Sequence, residues 1–359
     1  MRKLLIFTFT IIIGLISNKS VASVAVSVEY SEAANVFDLL DNVSNWWEGF
    51  CEEEYQKFWS QKFGLTESDK QLFSEYKILR EKYYKDPDQA EKDPLKNRNG
   101  FFSTLSSVTA DPVAEAFYSS EKLSDAYKNL EAILTVEELG FLKKFHKQFE
   151  DNYAVLLKES ASFKKIAKIA NLAFKKPSIK VLFDDASRFY GVKEDLSYRV
   201  LYVWWPPIER SQSSPTGKFL LMRYNPIKHA DIAGKDADIV FHEIVHTISA
   251  RQGLNQKQAL TKEFLKACPV QYRMKKLKVL EEPLAVAIGQ LLYLKRVEPK
   301  RLDLSAKAYN DPWISAYGKM LFPVVDEYMK NKRGIVDFVK PATAICNELV
   351  KMSEKLVTK

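Results

Sequence analysis

The chain has 359 residues, of which 46% are hydrophobic and 28% are charged, so it has room for two domains or for one domain with a large extension. These fractions are ordinary for a globular protein, and they argue against a disordered chain and against a protein with many membrane spans. The formal net charge is +8, but no basic block with interleaved aromatic residues occurs. We therefore expect no binding of nucleic acid.

Residues 1–25 have the features of a secretory signal peptide. A short basic head precedes the apolar run Leu4–Ile16, and a tail of small residues with Ala22 and Ala25 follows. Cleavage after either alanine satisfies the small-x-small rule, and the apolar run is too short to span a bilayer. We therefore expect a secreted or periplasmic chain without a stable membrane span.

The three cysteines, Cys51, Cys268 and Cys346, are too few and too far apart for a disulfide scaffold or a cysteine-based zinc site. In an oxidising compartment Cys268 and Cys346 could pair within the C-terminal half and leave Cys51 over. Buried free thiols explain the same residues, and the sequence does not decide between the two.

Residues 26–175 have a helical pattern and form the predicted N-terminal region. Thr66 and Thr135 each begin a capping box that precedes apolar residues at helical spacing. We expect this region to pack over or beside the rest of the chain and to restrict what reaches it, because its size and aromatic content exceed what a linker needs.

A cluster of aromatic residues in this region is predicted to pack between helices, although a binding surface would explain it too. The cluster consists of Trp46, Trp47, Phe50, Phe58 and Trp59. Farther along, His146 has lysine neighbours on both sides and is predicted to lie at the surface.

Two strand candidates mark a change of pattern near residue 198. The first, 198–205, is rich in β-branched and aromatic residues, and the second, 219–224, ends before an Asn-Pro pair. With a polar loop between them, the two predict a small antiparallel sheet. Residues 176–359 form the second predicted domain, and the fold as a whole is predicted to be α+β and mostly α-helical.

Helices are predicted for most of the chain beyond the strands. The first runs from about Asp236 to Gly253, where the glycine is a suitable C-cap. Others are predicted around 281–296 and 312–332, and a final helix is predicted from about residue 341.

The helix predicted from Asp236 carries a His-Glu-Ile-Val-His motif at residues 242–246. Residues four apart lie on one face of a helix, so His242 and His246 can both bind one metal ion. Glu243 follows the first histidine, where a carboxylate can take a proton from a water that the metal activates. A buried helix with two hydrogen-bonded histidines would explain these residues without a metal. The chain has only four histidines, and two of them at this spacing favour a zinc site.

The third ligand of such a site must come from elsewhere, because a catalytic zinc ion usually has three protein ligands and keeps one position for water. The metzincin spacing would need a histidine at position 252, where the chain has Gln252. Downstream, Glu281 and Glu282 are the acidic candidates. They stand at the start of an apolar helix, and Pro283 suits its first turn.

With these residues the chain resembles the gluzincins, the thermolysin-like and aminopeptidase-like zinc metallopeptidases, over roughly residues 198–330. In that group the third ligand is a glutamate on a later helix, with a small residue three positions on that lets the two helices approach. Ala285 has this position relative to Glu282, whereas Leu284 has it relative to Glu281. The resemblance therefore favours Glu282, and it implies a zincin-like catalytic domain.

The resemblance also implies an activity, the hydrolysis of peptide bonds in a peptide or protein substrate. Zn²⁺ would be bound by His242, His246 and Glu282, and Glu243 would be the general base that later passes its proton to the leaving amine. The strand at 219–224 is the candidate edge on which the substrate backbone lies, and an ordinary sheet strand explains the same residues.

Gluzincins usually add a tyrosine or histidine that donates a hydrogen bond to the developing oxyanion. Tyr317, beside Gly318 on a predicted helix, is the candidate, and a core position is the alternative for it. His229, in the loop before the motif, is the rival donor, and a surface position is the alternative there.

Two other functions remain open from the sequence. One is a helical binding or assembly protein on a zincin scaffold, with little or no catalysis. The intact Glu243 speaks against it, because such a scaffold has no chemical need for this carboxylate. The other is a zinc amidase that acts on cell-wall material, which uses the same water chemistry and differs only in its substrate.

Overall fold

The computed structural model describes residues 23–47, 51–84, 111–231, 235–268 and 280–357. The predicted signal segment lies outside the described residues except for its last three, and Phe50 of the aromatic cluster also lies outside them. Over the described ranges the fold is α+β and mostly α-helical, as predicted from the sequence. No described helix has both the length and the apolar composition that a membrane crossing requires.

The N-terminal part of the described chain begins with the strand β1, Val24–Glu29. The helices that follow are α1 (Glu32–Val43), α2 (Glu53–Phe63), α3 (Glu67–Tyr83), α4 (Pro112–Tyr118), α5 (Leu123–Leu130), α6 (Val136–Gln148) and α7 (Glu150–Glu159). Both predicted capping boxes are confirmed, with Thr66 and Asp69 at the start of α3 and with Thr135 and Glu138 at the start of α6.

The remaining part contains the other strands and the longest helices. Its elements are α8 (Phe163–Phe174), α9 (Pro177–Tyr190), β2 (Leu196–Trp204), β3 (Gln212–Thr216), β4 (Phe219–Tyr224), α10 (Ala237–Ala250), α11 (Leu254–Ala267), α12 (Glu281–Ala285), a π-helical segment (Val286–Leu292), α13 (Tyr293–Val297), α14 (Pro312–Lys330) and α15 (Ile335–Val357).

The four described strands form one mixed sheet in the order β1-β2-β4-β3, whereas the sequence predicted an antiparallel one. The two predicted strands, β2 and β4, are parallel neighbours, and β1 is parallel to β2. The antiparallel partner of β4 is β3, which comes from the predicted polar loop. The sequence missed β3 because its residues, 212–216, are all half-buried and lack an apolar alternation. It missed β1 because this strand precedes a long helical region.

Alternate side chains of the sheet enter two separate hydrophobic cores, one on each face. On one face, Leu201 and Leu221 pack with α1–α7. On the other face, Val200 and Met222 pack with helices from α8 to α15. The N-terminal helices therefore lie on the opposite face of the sheet from α10, and they do not pack over that helix. The division of the cores also differs from the predicted domain boundary, because β1 and α8 belong to the second core.

Two predicted helix ends differ from the structure. Helix α10 ends with Arg251 as its C-cap, and Gly253 is instead the N-cap of α11. Gly253 has a φ of −57°, so it does not adopt the left-handed conformation of a glycine C-cap. The final helix begins at Ile335, and Pro341 lies inside it rather than at its start.

The cysteine pairing that the sequence left open is present in the structure. A disulfide links Cys268, at the end of α11, to Cys346 of α15, and their Cα atoms are 6.0 Å apart. Cys51 is a buried free thiol. Burial raises the pKa of Cys51 to about 12, so this thiol is a core residue without thiolate character.

Two predictions for the N-terminal region have opposite outcomes. The aromatic cluster packs between helices as predicted, since Trp46 and Trp59 are buried and the described neighbours lie against the same core. The prediction for His146 is wrong, because its side chain is only 1% exposed. Its Nδ1 atom lies 2.7 Å from the Tyr127 hydroxyl, and burial lowers the pKa of His146 to about 3.

Candidate metal centre

The helix α10 is buried on nearly all sides. Its residues Val240, Phe241 and Ile244 are at most 1% exposed, and His242 and His246 are 4% exposed. Imidazoles that are buried this deeply in an apolar helix need polar partners or a metal ion, because an unpaired buried polar group destabilises the folded state.

The structure brings His242, His246 and Glu282 together, as the sequence predicted. The two Nε2 atoms of the histidines are 3.1 Å apart. The carboxylate oxygens of Glu282 lie 3.3 Å from Nε2 of His246 and 3.6 Å from Nε2 of His242. Oε1 faces His246 and Oε2 faces His242, so the three side chains form a triangle in which one ligand atom from each residue lies within 4.8 Å of the others.

The size of this triangle fits a tetrahedral ion. Two ligand atoms at about 2.0–2.1 Å from a tetrahedral zinc ion are about 3.4 Å apart, close to the distance between the two Nε2 atoms and to the distance from each Nε2 atom to its nearer Glu282 oxygen. The contact between the two Nε2 atoms also fits two imidazoles that face one cation. Two histidines and a carboxylate suit zinc, although several divalent metals accept the same donors.

Glu281 lies behind the triangle rather than in it. Its Oε1 atom is 2.9 Å from Nδ1 of His246, and its side chain is 1% exposed. A carboxylate that accepts from the far nitrogen of a ligating histidine fixes the ring orientation and leaves Nε2 free for the metal. The sequence favoured Glu282 over Glu281 as the third ligand, and the structure gives these two neighbours the corresponding positions.

The electrostatics of the cluster favour positive charge. Burial alone lowers the pKa of His246, but the charge of Glu282 and the hydrogen bond to Glu281 outweigh it and raise the pKa to about 10. Burial alone raises the pKa of Glu282, but the charge of His246 and hydrogen bonds with both histidines hold it well below its usual range. The carboxylate is thus ionised and attracts positive charge to the triangle.

Two glycines let the helices around the cluster approach each other. A Cβ atom on Gly289, in the π-helical segment, would lie 2.3 Å from Cα of His242. A Cβ atom on Gly318 would lie 2.7 Å from the side chain of Val286 and 3.1 Å from the carbonyl oxygen of Pro283. The segment after Glu282 therefore packs directly on the backbone of α10. π-Helical turns are common at functional sites.

Glu243 is half-buried on the same helix and faces the sheet. The hydroxyl of Ser213, in β3, donates to Oε1 of Glu243 over 2.6 Å. This bond holds the carboxylate beside the terminal strand of the sheet. Ser213 was not singled out from the sequence, because its serine-rich loop carries no strand signal.

Tyr309 is a second residue near the cluster that the sequence did not identify. Its ring stacks on that of His242 with centroids 6.1 Å apart. Burial raises the pKa of Tyr309, and its hydrogen bond with Glu282 and the charge of Glu243 add to this effect. The backbone N–H of the preceding residue, Ala308, donates to the hydroxyl of Ser315, and this bond ties the loop to the start of α14. A phenol at this position is a suitable oxyanion donor.

The two donors that the sequence suggested are engaged elsewhere. The hydroxyl of Tyr317 is buried and donates to the carbonyl oxygen of Ala342 over 2.8 Å, so this tyrosine has the core position that was its alternative. His229 is also buried, where a surface position was expected. Its Nδ1 atom accepts from the backbone N–H of Asn225 over 2.9 Å. Both residues stabilise the fold around the cluster, and neither is kept as a catalytic candidate.

Comparison with protein-family models, with curated proteins and with solved structures gives no match to this chain. The functional assignment therefore depends on the residues themselves, namely the spacing of the motif and the distances in the cluster.

Proposed function

We propose that this protein is a zinc-dependent metallopeptidase of the gluzincin type, with a zincin-like catalytic domain. The observation that carries the proposal is the triangle of His242, His246 and Glu282, in which the two Nε2 atoms are 3.1 Å apart and the Glu282 oxygens lie 3.3 and 3.6 Å from them. Glu243 lies on the same helix one residue from a ligand, and Tyr309 stacks on that ligand. A metal ligand set, a carboxylate base and a hydroxyl donor around one point are what amide hydrolysis needs.

Each residue then has a chemical role. A zinc ion held by the triangle would supply the Lewis acidity that activates water and polarises the scissile carbonyl. Glu243 accepts the proton of the attacking water and passes it to the leaving amine. The hydroxyl of Tyr309 turns from Glu282 to the carbonyl oxygen and donates to it as negative charge develops. Glu281 keeps the ring of His246 in place throughout.

The substrate backbone is assigned to β3 rather than to β4. The sequence suggested 219–224 as the substrate edge, but β4 lies inside the sheet between β2 and β3. Pro215 of β3 has no N–H group and cannot exchange two hydrogen bonds with its partner in β4. In an antiparallel pair, residues with two such bonds alternate with residues that have none, so residues 214 and 216 are the ones bonded to β4. By the same alternation, the N–H and C=O groups of Ser213 face the free edge. An extended peptide added there passes beside Glu243, to which Ser213 is hydrogen-bonded.

The N-terminal helices support this edge from behind, whereas the sequence predicted that they pack over or beside the catalytic half and restrict what reaches it. Asp38 of α1 makes a two-point ion pair with Arg223 of β4, with distances of 2.6 and 3.1 Å. Arg223 in turn donates to Ser214 over 2.7 Å and to Gln212 over 3.2 Å, and Gln212 donates to Glu52 beside α2. The face of β3 opposite Glu243 is therefore fixed by the helical region.

The proposal includes export of the protein, and the pairing of β1 indicates where the signal peptide is cleaved. Val24 and Ala25 are paired with Leu196 and Ser197 of β2. Cleavage after Ala25 would remove both pairs, whereas cleavage after Ala22 leaves the strand whole. We therefore expect the mature chain to begin at Ser23, which N-terminal sequencing of the exported protein would establish.

The test is digestion of casein and of a peptide library by the wild type and by Glu243→Gln, with Glu137→Gln as an exposed control for the same chemical change. Both variants should keep the zinc content of the wild type. Only Glu243→Gln should lose turnover, by several orders of magnitude, because the amide cannot accept a proton. Peptide cleavage by Glu243→Gln at the rate of the wild type would overturn the mechanism. Activity on cell-wall amides alone would move the chain to the amidase class.

A further inference from the structure

One stretch of the chain is basic without any acidic residue. Residues 160–183 contain six lysines and neither Asp nor Glu, although the chain has 46 acidic residues in 359. The stretch covers α8 and the first half of α9. The two acids that follow it are engaged, Asp184 with Lys180 and Asp185 with Arg188 and Arg296. This surface therefore keeps its positive charge.

The lysines of α8 share one face with exposed aliphatic residues. At 100° per residue, the buried side of the helix is formed by Phe163, Ala167, Ala170 and Phe174. The residues of the opposite side lie within about 100° of one another by the same geometry. They are Lys165, Lys168, Ile169 and Leu172, and together with Lys176 in the link between α8 and α9 we call them the lysine face.

The apolar members of the lysine face are unusually exposed. Ile169 is 52% exposed, Leu172 is 61% exposed, and Val181 at the start of α9 is 54% exposed. Lys165, Lys168 and Lys176 form no ion pair with any described residue. Aliphatic side chains that project between unpaired lysines on a convex helix match a bilayer surface, in which phosphates bind the ammonium groups and acyl chains receive the apolar ones.

We propose that the lysine face is a docking surface for an anionic phospholipid bilayer. The chemistry favours lipid over nucleic acid, because the face has no exposed aromatic ring to stack on a base and no arginine. It favours lipid over an acidic protein, because isolated aliphatic side chains on a convex helix form no groove for a partner chain.

The position of the lysine face leaves the metal centre accessible. Helix α8 packs on β1, where the Asn171 side chain accepts from the backbone N–H of Val28 over 3.3 Å. β1 and β3 are the two outer strands of the described sheet, about 14 Å apart at the usual strand spacing. Docking through α8 therefore holds the protein at the bilayer by one sheet edge and leaves the substrate edge at β3 free. The proposal does not depend on catalysis.

The test is co-sedimentation with vesicles of equal parts phosphatidylglycerol and phosphatidylcholine, beside pure phosphatidylcholine vesicles. The protein should begin at Ser23, since every described element lies beyond it and the apolar run at 4–16 would itself enter vesicles. We expect binding to the anionic vesicles only, weakened by salt. The triple change to glutamine at Lys165, Lys168 and Lys176 should lower the partition coefficient on the order of a hundredfold, since each lysine contributes about fivefold.

Two controls locate the effect. The same triple change at the exposed lysines Lys128, Lys144 and Lys340 removes equal charge and should leave most of the binding. The change of Ile169 and Leu172 to glutamine should also weaken binding, whereas the matched changes at Ile78 and Val136, which are 69% and 84% exposed, should not. Absent binding of the unaltered protein, or equal losses in face and control variants, would overturn the proposal.

Discussion

The carboxylate of Glu281 lies 2.9 Å from Nδ1 of His246, while the next residue, Glu282, faces Nε2 of the same ring at 3.3 Å. Two adjacent glutamates thus contact opposite nitrogens of one imidazole. The one on the Nε2 side is placed to bind the metal, and the other is placed to orient the ring.

This relationship predicts different effects for two otherwise similar substitutions. Glu282→Gln should nearly abolish zinc binding, because it removes a charged ligand. Glu281→Gln should weaken zinc affinity by about tenfold to a hundredfold, because it alters only the partner of a ligand. Competition with a chromophoric chelator measures both. The reverse ranking would move the third ligand to Glu281, and equally small effects would remove the gluzincin assignment.

A second prediction concerns the contact between Gly289 and the backbone of His242. Gly289→Ala should destabilise the fold by roughly 2 kcal/mol or more, because the new methyl group meets backbone atoms that cannot rotate away. Zinc affinity should fall together with stability, because α10 must move to make room for the methyl group. A Cβ atom on Gly140, exposed in α6, would have no neighbouring atom within 4 Å, and Gly140→Ala should stabilise by about 0.5–1 kcal/mol. Urea denaturation compares the two, and similar effects at both sites would contradict the close packing.

The two tyrosines provide a third, matched pair. Tyr309→Phe should retain zinc and lower turnover by about a hundredfold or more, the usual scale for one oxyanion donor. Tyr317→Phe should leave turnover unchanged and cost about 1 kcal/mol of stability, because it loses only the bond to Ala342. Kinetics at saturating substrate, together with thermal unfolding, separates the roles. Loss of turnover at Tyr317 alone would restore the donor suggested from the sequence.

The buried His146 predicts a specific dependence of stability on pH. Its folded pKa of about 3 lies below the ordinary value of 6.5, so the folded state favours the neutral ring. The contribution is fully present above pH 6.5 and is lost as the pH falls towards 3. Protonation of His146 in the unfolded chain should therefore lower the free energy of unfolding by about 2 kcal/mol between pH 7 and pH 5. His146→Phe should lack this part of the loss in urea titrations at the two values. Parallel losses would show that the imidazole is protonated in the fold.

The parts of the site that could be predicted from the sequence are those fixed by local geometry. His242, Glu243 and His246 lie within five residues of one helix, and the i, i+4 relation holds wherever that helix packs. Glu282 required a family pattern as well as local geometry. The predicted reason was the small Ala285 after it, and the structure adds Gly289, which packs on the backbone of His242 in α10.

The parts that could not be predicted depend on contacts between distant segments. Ser213 reaches Glu243 because a polar loop joins the sheet edge, and half-buried polar residues have no period that indicates a strand. Tyr309 reaches the cluster from a loop whose direction is set by α14. The sequence of β2 does not indicate which face of the sheet the N-terminal helices cover, because the strand is apolar on both faces, with Val200 in one core and Leu201 in the other.

Metal analysis after dialysis against a mild chelator is the decisive experiment for a zinc centre built on His242, His246 and Glu282. The wild type should retain about one zinc ion per chain, since three protein ligands plus water complete a catalytic site. His246→Ala should retain none, and Gln252→Ala, beyond the motif at the end of the helix, should retain as much as the wild type. Retention of zinc by His246→Ala at the level of the wild type would show that the metal binds elsewhere and that the proposed centre is wrong.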